Sequence, residues 1–414
     1  MNMKTKKKRW IIALCTAVVL LFAACGGGGG GGGEASDTGS DENAASGDLS
    51  GETIKIAAMM PMTGTGAADG EMMANAIELA VDEQNEAGGI LGAKIELKIE
   101  DGGSTQDSGM NIAQKIFMDD SYDMILGPHF SVQMLAIASI IDENQRLQIS
   151  GATSVAVAEA VTNPYMLQNR VIDRYTAAAA AKFISEDLGC KKIGILAAND
   201  DFGQTAVDRI TGYLDDHNVE YIVQTCGVDD KDFTSQLMTI KNENCDALLL
   251  WTLSDPYVAC SRQVYELGMN ESMACYASGG PTSPDMRARM EPEWYDGWYS
   301  TCEYNNDSSD ESVLAFKESY SEKYGIEPNF LAAGYYAGLQ YYFAAIEQAG
   351  SKDKDDVTVA MGELQGFQTL NGIYNKPTDT SDKFINKSMQ IIQLDENGTL
   401  HTQATLDFTD EGTE

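Results

Sequence analysis

Two short stretches concentrate the side chains that can do chemistry. One reads Met124-Ile125-Leu126-Gly127-Pro128-His129-Phe130-Ser131, the other Leu147-Gln148-Ile149-Ser150-Gly151-Ala152-Thr153-Ser154. Each is an apolar strand followed at once by glycine and hydroxyl residues. If the strands lie parallel in one sheet, their exits share an edge. That edge carries Ser131, Thr153, Ser154 and backbone N–H groups. Open α/β sheets bind ligands there, outside the carboxyl ends of the strands. Hydroxyls and helix N-termini together suit an anion, a carboxylate above all. Ser131 reads equally as a plain helix cap, a role that coexists with ligand contact. Ser154 reads equally as a loop serine bonding its own backbone.

Catalysis finds little support. His129 beside Ser131 suggests base and nucleophile, but the chain offers only His129, His217 and His401. No GxSxG elbow or plausible triad partner accompanies them. HExxH and CxxC spacings are absent, so no metal centre is expected. Asp201-Phe202-Gly203 matches the kinase tripeptide without a glycine-rich loop, a partner lysine or a catalytic loop. Gly88 to Gly92 is a helix stop and turn rather than a dinucleotide fingerprint. The expectation is a binding protein, with no enzymatic activity and no cofactor.

Alternating patterns position these residues. Ile54 to Met60, Ile95 to Glu100 and Tyr122 to Leu126 read as strands, with helices over Glu71 to Glu86 and Thr105 to Asp119. Helix-separated strands of this kind make βαβ units and a parallel sheet. The alternation restarts after Arg170, with a helix over Thr176 to Leu188 and strands at Lys192 to Ala197, Glu220 to Gln224, Ala247 to Trp251 and Met273 to Tyr276. Phe202 sits at one exit of this second sheet; Trp251, Leu253 and Tyr257 sit at the next. Each reads as cleft wall or as core. The helical patterns Ser312 to Lys323 and Leu331 to Gln348 lack strands of their own and must pack on the first sheet. Crossings near Arg170, Tyr299 and Gly372 therefore make a hinge suited to closure around a ligand. The expected class is α/β, two doubly wound parallel-sheet lobes joined by three crossings. Lobe 1 takes residues 52–170 plus 301–371, and lobe 2 takes 171–300 plus 372–414.

Residues 1–24 read as a signal segment, with Lys4, Lys6, Lys7, Lys8 and Arg9 before the apolar run Trp10 to Ala24. Leu21-Phe22-Ala23-Ala24-Cys25 resembles a bacterial lipobox, which makes Cys25 the lipidated residue. Residues 25–51, rich in glycine and acids, read as a flexible tether. The expected location is extracytoplasmic, anchored to the membrane by lipid. The formal net charge of −35 repels nucleic acid and anionic headgroups, so no nucleic-acid partner is expected. Cys190, Cys226, Cys245, Cys260, Cys275 and Cys302 lie beside apolar residues and are expected to be buried thiols.

From Thr53 to about Thr409 the chain resembles type I extracytoplasmic solute-binding proteins of ABC transporters, specifically the branched-chain amino acid (Leu/Ile/Val) group. The resemblance is carried by Pro61-Met62-Thr63-Gly64, Leu79-Ala80-Val81-Asp82-Glu83, Ala87-Gly88-Gly89-Ile90, Ile125-Leu126-Gly127, Gly151-Ala152-Thr153-Ser154, Phe202-Gly203 and Tyr335-Tyr336-Ala337. It implies that Ser131 bonds the ligand carboxylate, next to Phe130. It implies that Ala152 offers backbone groups, that Ser154 holds both ends of an amino acid, and that Phe202 closes over the ligand. Two positions depart from the pattern. Gly279 stands where an acid usually meets the ligand ammonium, and Asp69 stands where an aromatic is common. Either Asp69 takes over the ammonium or the ligand lacks one, because a buried unpaired ammonium costs several kcal/mol. The implied partners are an ABC permease and a small carboxylate-bearing solute. The open alternatives are a non-amino-acid carboxylate or amide ligand, and a sensor feeding a signalling partner.

Overall fold

The computed structural model describes residues 47–64, 66–227, 230–252 and 254–407. Cys25, the expected signal segment and Leu253 lie outside the described residues. Five strands form the first sheet: β1 (Thr53–Met60), β2 (Lys94–Asp101), β3 (Met124–Leu126), β4 (Leu147–Ser150) and β5 (Met166–Gln168). They are all parallel, in the order β2-β1-β3-β4-β5. Between them run α1 (Ala67–Glu86), α2 (Gln106–Phe117), α3 (Ser131–Ala136), α4 (Ala138–Asn144) and α5 (Val155–Ala160).

Period-two alternation sorts the strand side chains to two faces. Ile56, Ala58 and Met60 of β1 pack with α1 and with three later helices. Those helices are α11 (Glu311–Tyr324), α12 (Phe330–Ala349) and α13 (Lys354–Glu363). Ala57 and Met59 pack on the other face, against α2 to α5. The late helices thus cover the first sheet, as their lack of strands predicts. Tyr320 and Tyr324 of α11 donate to the Met72 and Asn75 carbonyls of α1, at 3.1 and 2.8 Å.

The second sheet repeats the plan. Helices α6 (Asp173–Lys182), α7 (Asp201–Asp216), α8 (Thr234–Asn242), α9 (Ser254–Glu266) and the short α10 (Pro284–Arg287) accompany five strands. These are β6 (Lys192–Ala198), β7 (Glu220–Cys226), β8 (Ala247–Trp251), β9 (Ala274–Ala277) and β10 (Tyr299–Cys302). Their order, β7-β6-β8-β9-β10, matches that of the first sheet, and all are parallel. After a hairpin of β11 (Phe367–Thr369) and β12 (Gly372–Tyr374), the chain adds β13 (Ser388–Leu394) and β14 (Leu400–Asp407) beside β10, both in antiparallel pairings. This sheet is therefore mixed at one edge. β14 escaped the sequence reading because its exposed face is polar and its ladder needs β13 as a partner.

Four local expectations change. Phe130, not Ser131, occupies the cap position of α3, in extended backbone and without a capping side chain; Ser131 is the first helical residue. The apolar run after it breaks at Ile137 into two short helices. The helix expected over Thr176 to Leu188 ends in a π-turn, Phe183–Asp187. The tether's last residues are tied down: Leu49 is buried in the first core and its N–H bonds the Leu91 carbonyl at 2.9 Å. The six cysteines are buried thiols, and burial pushes Cys226 up to about 11 and Cys275 and Cys302 up to about 12. Among the described residues no helix is long and apolar enough to cross a membrane.

Two glycines of α7 make opposite predictions. A Cβ at Gly203 would collide with the Ala198 carbonyl oxygen of β6, whereas Gly212 is exposed and open. Gly203→Ala is expected to lower unfolding free energy by about 1–3 kcal/mol. Gly212→Ala is expected to raise it by roughly 0.5–1 kcal/mol. Denaturant titration of both variants checks the contrast.

Candidate ligand-binding site

Strand order 2-1-3-4-5 reverses direction between the first and third strands, and ligands settle at that switch point. Register fixes where the exits fall. Ala58 of β1 pairs with Leu126 of β3, and Leu126 with Ile149 of β4, so the three exit loops leave at one level. In the second sheet Ala197 of β6 pairs with Trp251 of β8, which brings the Phe202 and Thr252 exits together.

A cavity of about 300 Å³ lies at these exits. Asp69, Asn329, Phe330 and Leu331 line it from elements packed on the first sheet. Phe202, Trp251, Thr252, Ser278, Gly279 and Thr301 line it from the second. Arg170 and Glu303, on two of the chain's crossings, complete the wall. Phe202 and Trp251 face each other with ring centroids 6.1 Å apart. Gly279 has positive φ (50°), donates its N–H to Thr301 Oγ1 at 3.3 Å, and has open space where a Cβ would stand. Asp69 is exposed and accepts from Asn329 Nδ2 at 3.1 Å.

Of the residues singled out in the sequence, Asp69, Phe202, Gly279, Trp251 and Tyr257 line this cavity, while Phe130, Ser131, Ala152 and Ser154 lie on adjoining exit loops outside its lining. Phe130 closes against the β1 exit, where a Cβ at Gly66 would come within 2.9 Å of its ring. The Ser131 hydroxyl is half-buried. Ser154 caps α5, its Oγ accepting from Ala156 N–H at 3.2 Å, which leaves the hydroxyl proton to donate. Ala152 is buried: its N–H donates to Ser150 Oγ at 3.2 Å and its carbonyl accepts from Gln168 Nε2 at 2.7 Å. One carbonyl lone pair of Ala152 is left for a ligand.

The sequence reading missed Arg170, Glu303 and Phe330. Arg170 Nη2 meets Glu303 Oε1 at 2.6 Å, Nε reaches Oε2 at 3.3 Å, and the guanidinium lies 5.0 Å over the Phe330 ring. The available signal was a charged residue just past each of two strands at a crossing. Behind the first-sheet loops, Gly151 N–H donates to Tyr335 Oη at 3.2 Å. His129 Nδ1 is buried there without a hydrogen-bond partner among the described residues, 2.6 Å from where a Cβ on Gly151 would stand. Burial pushes the His129 pKa down to about 3, and the Arg170 charge adds to the shift.

The comparisons with known proteins agree with this fold. The profile of the family described as Periplasmic binding protein matches residues 53–399. Leu/Ile/Val-binding protein homolog 1 of Brucella suis biovar 1 is 27% identical over 319 residues, covering 76% of this chain and 83% of the relative. The solved structure of a leucine binding protein, LivK, from Thermotoga maritima superposes with a TM-score of 0.69 at 26% identity, over 86% of this chain and 99% of that one. A solute binding protein of an ABC transporter from Rhodopseudomonas palustris BisB5, in complex with 3,4-dihydroxy benzoic acid, shares the fold. Its TM-score is 0.71 at 21% identity, over 86% of this chain and 97% of that one. The chain belongs to the type I periplasmic binding proteins, in the branched-chain amino acid group. This is an extracytoplasmic, non-enzymatic class of solute-binding proteins that work with ABC permeases.

The His129 imidazole, partly buried with its Nδ1 enclosed, carries a pH prediction. His129 titrates near 3 when folded and near about 6.5 when unfolded. Its neutral form therefore contributes stability in full above about pH 6.5, and that contribution is lost as pH falls from there toward 3. Melting temperatures between pH 7 and 4 are expected to fall more steeply for the wild type than for His129→Gln; His217 and His401 are common to both and cancel.

Proposed function

We propose that this protein captures a small carboxylate-bearing solute, a branched-chain or related amino acid, by closing two lobes on it, and delivers it to an ABC importer. The lobes are residues 52–170 plus 301–371 and 171–300 plus 372–414. The cavity at the facing sheet exits is the observation that most supports this reading, because its walls come from both sheets. Only a ligand that touches both walls favours a closed form over an open one. The Ser131 hydroxyl and the proton of the Ser154 hydroxyl receive the carboxylate as Phe130 and Phe202 close over the solute. Ala152 adds its carbonyl, and Asp69 and Gly279 line the approach. The lipobox at Cys25 supports a membrane lipid anchor, with the acidic tether holding the binding unit off the surface.

A second reading is a small carboxylate without an ammonium. Gly279 in the second wall favours it, since that position lacks the acid. The Rhodopseudomonas palustris protein, in complex with an aromatic acid, is an instance of this fold without an amino-acid ligand.

Thermal-shift screening against amino acids, aromatic acids, amides and small carboxylates is expected to return a raised melting temperature for at least one amino acid. Silence across the whole panel overturns solute capture. Ser131→Ala is expected to weaken the best ligand about tenfold, the loss of one charge-assisted hydrogen bond, without lowering the melting temperature of the unliganded protein. In cells, Cys25→Ser is expected to move the protein from the detergent phase to the aqueous phase on detergent partitioning.

A further inference from the structure

From each side, the cavity at the facing sheet exits is lined by a phenyl ring that its own core leaves part-exposed. Phe202, just past the exit of β6, packs at the margin of a core under the second sheet. Phe330, at the start of α12, packs at the margin of the core under the first. Both line the cavity, and both are held in place. Trp251, only 2% exposed, backs Phe202 with ring centroids 6.1 Å apart and planes inclined by 34°. The Arg170 guanidinium lies 5.0 Å over the centroid of Phe330. Rings fixed before a ligand arrives lose little freedom on binding it.

The surrounding lining suits a flat apolar tail. Met286 and Met389 are buried members of it, and thioether sulfur packs favourably against ring edges. Ser278-Gly279-Gly280 brings no bulky side chain to the second wall. Nothing lies within 4 Å of a Cβ placed on Gly279, and a Cβ on Gly280 would meet only the Tyr257 ring, at 3.6 Å. Volume then separates the possible tails. An apolar cavity of about 150 Å³ takes a benzene molecule. This one, at about 300 Å³, has room for a ring and a polar head together. An isopropyl tail fills less of it and leaves more of the two phenyl faces wet. A ring also gains offset-stacked or edge-to-face contacts with both walls, beyond the area it buries, and an isopropyl group makes neither.

We propose that the ligand's tail is an aromatic ring seated between Phe202 of the second wall and Phe330 of the first, and that these two residues set the cavity's specificity. This rests on the solute-capture reading and narrows it to aromatic tails, whether or not the head carries an ammonium beside its carboxylate.

The test measures binding of two pairs by calorimetry: leucine against phenylalanine, and 4-methylpentanoate against 3-phenylpropanoate. Within each pair the head is constant and a phenyl group replaces an isopropyl group. The wild type is expected to prefer the phenyl member of at least one pair by about fivefold to hundredfold. Phe202→Leu and Phe330→Leu are each expected to lower that preference about threefold to tenfold while affinity for the isopropyl member holds. Phe202→Tyr is expected to keep most of the preference. If Phe202→Leu fails to fold because Trp251 loses its neighbour, Phe330→Leu reads the same ratio from the opposite wall. A wild type that prefers the phenyl member of neither pair, while binding an isopropyl member, overturns the assignment and leaves solute capture standing. A preference unchanged in both leucine variants overturns it too. So does an equal loss of both members of a pair, because that marks a merely structural role. No binding by any of the four compounds overturns the inference, and the wider thermal-shift panel then decides separately whether solute capture stands.

Discussion

Three passes of chain run between the two sheets without regular secondary structure of their own, and they must satisfy their backbone polar groups beside a cleft. Buried backbone without partners costs free energy comparable to a lost hydrogen bond. The passes meet this demand by bonding one another. Gln168 N–H donates to the Lys383 carbonyl at 2.7 Å, and Ile385 N–H returns to the Gln168 carbonyl at 2.9 Å. Tyr374 Oη donates to the Asn169 carbonyl at 3.1 Å, and Asn169 Nδ2 reaches the Gly334 carbonyl at 2.7 Å. Asn386 Nδ2 donates to the Asn371 carbonyl at 3.2 Å. Side-chain amides and one phenol substitute for a missing ladder. The Arg170–Glu303 pair adds a charged link between the first and second passes. The cleft floor is thus assembled from residues far apart in sequence, and the sheets on either side depend on it for their placement.

That dependence explains which parts were legible in the sequence. The parallel strands read clearly because both faces are covered, so β1, β6 and β8 are near-continuous apolar runs. The late helices read clearly because α12 is buried on nearly every side. β5 has three residues, too few for a periodic signal. The Arg170–Glu303 pair spans 133 residues and follows no local pattern. Phe330 fell one residue before the helical pattern read from Leu331 and carried no signal of its own, although its position at the helix start places it in the cavity wall beneath the guanidinium. Phe202 was readable because it follows a strand exit directly. Ser131 and Ser154 were readable as hydroxyls at an exit edge, but the sequence could not say which groups around them were already spent. The buried backbone of Ala152 shows why that matters: Ser150 and Gln168, two neighbours with no chemical signature, take its N–H and one lone pair of its carbonyl.

The exposed loops and the crossings place different limits on an ionic contact. A loop at Gly279 has positive φ and open space around it, so a side chain there is restrained by backbone conformation rather than by crowding. Glu303 on its crossing is half of a part-buried pair, whose desolvation cost is offset only while both partners stay together. An acid gained at Gly279 would strain that backbone. An acid on the crossing is held by the fold, because losing it removes the carboxylate that Arg170 bonds through both Nη2 and Nε.

Placement on a crossing also changes what a ligand contact does for closure. A group on a moving loop meets the ligand only after the lobes approach, so its binding energy favours the closed form. A group on a crossing belongs to neither sheet alone, so a contact it makes equally in an open and a closed form favours neither. Equal affinity for two states shifts neither. Were the two sheets to close on a solute, contacts on the crossings would serve capture, and contacts on the second-sheet loops, the Phe202 exit among them, would be the ones able to favour the closed form.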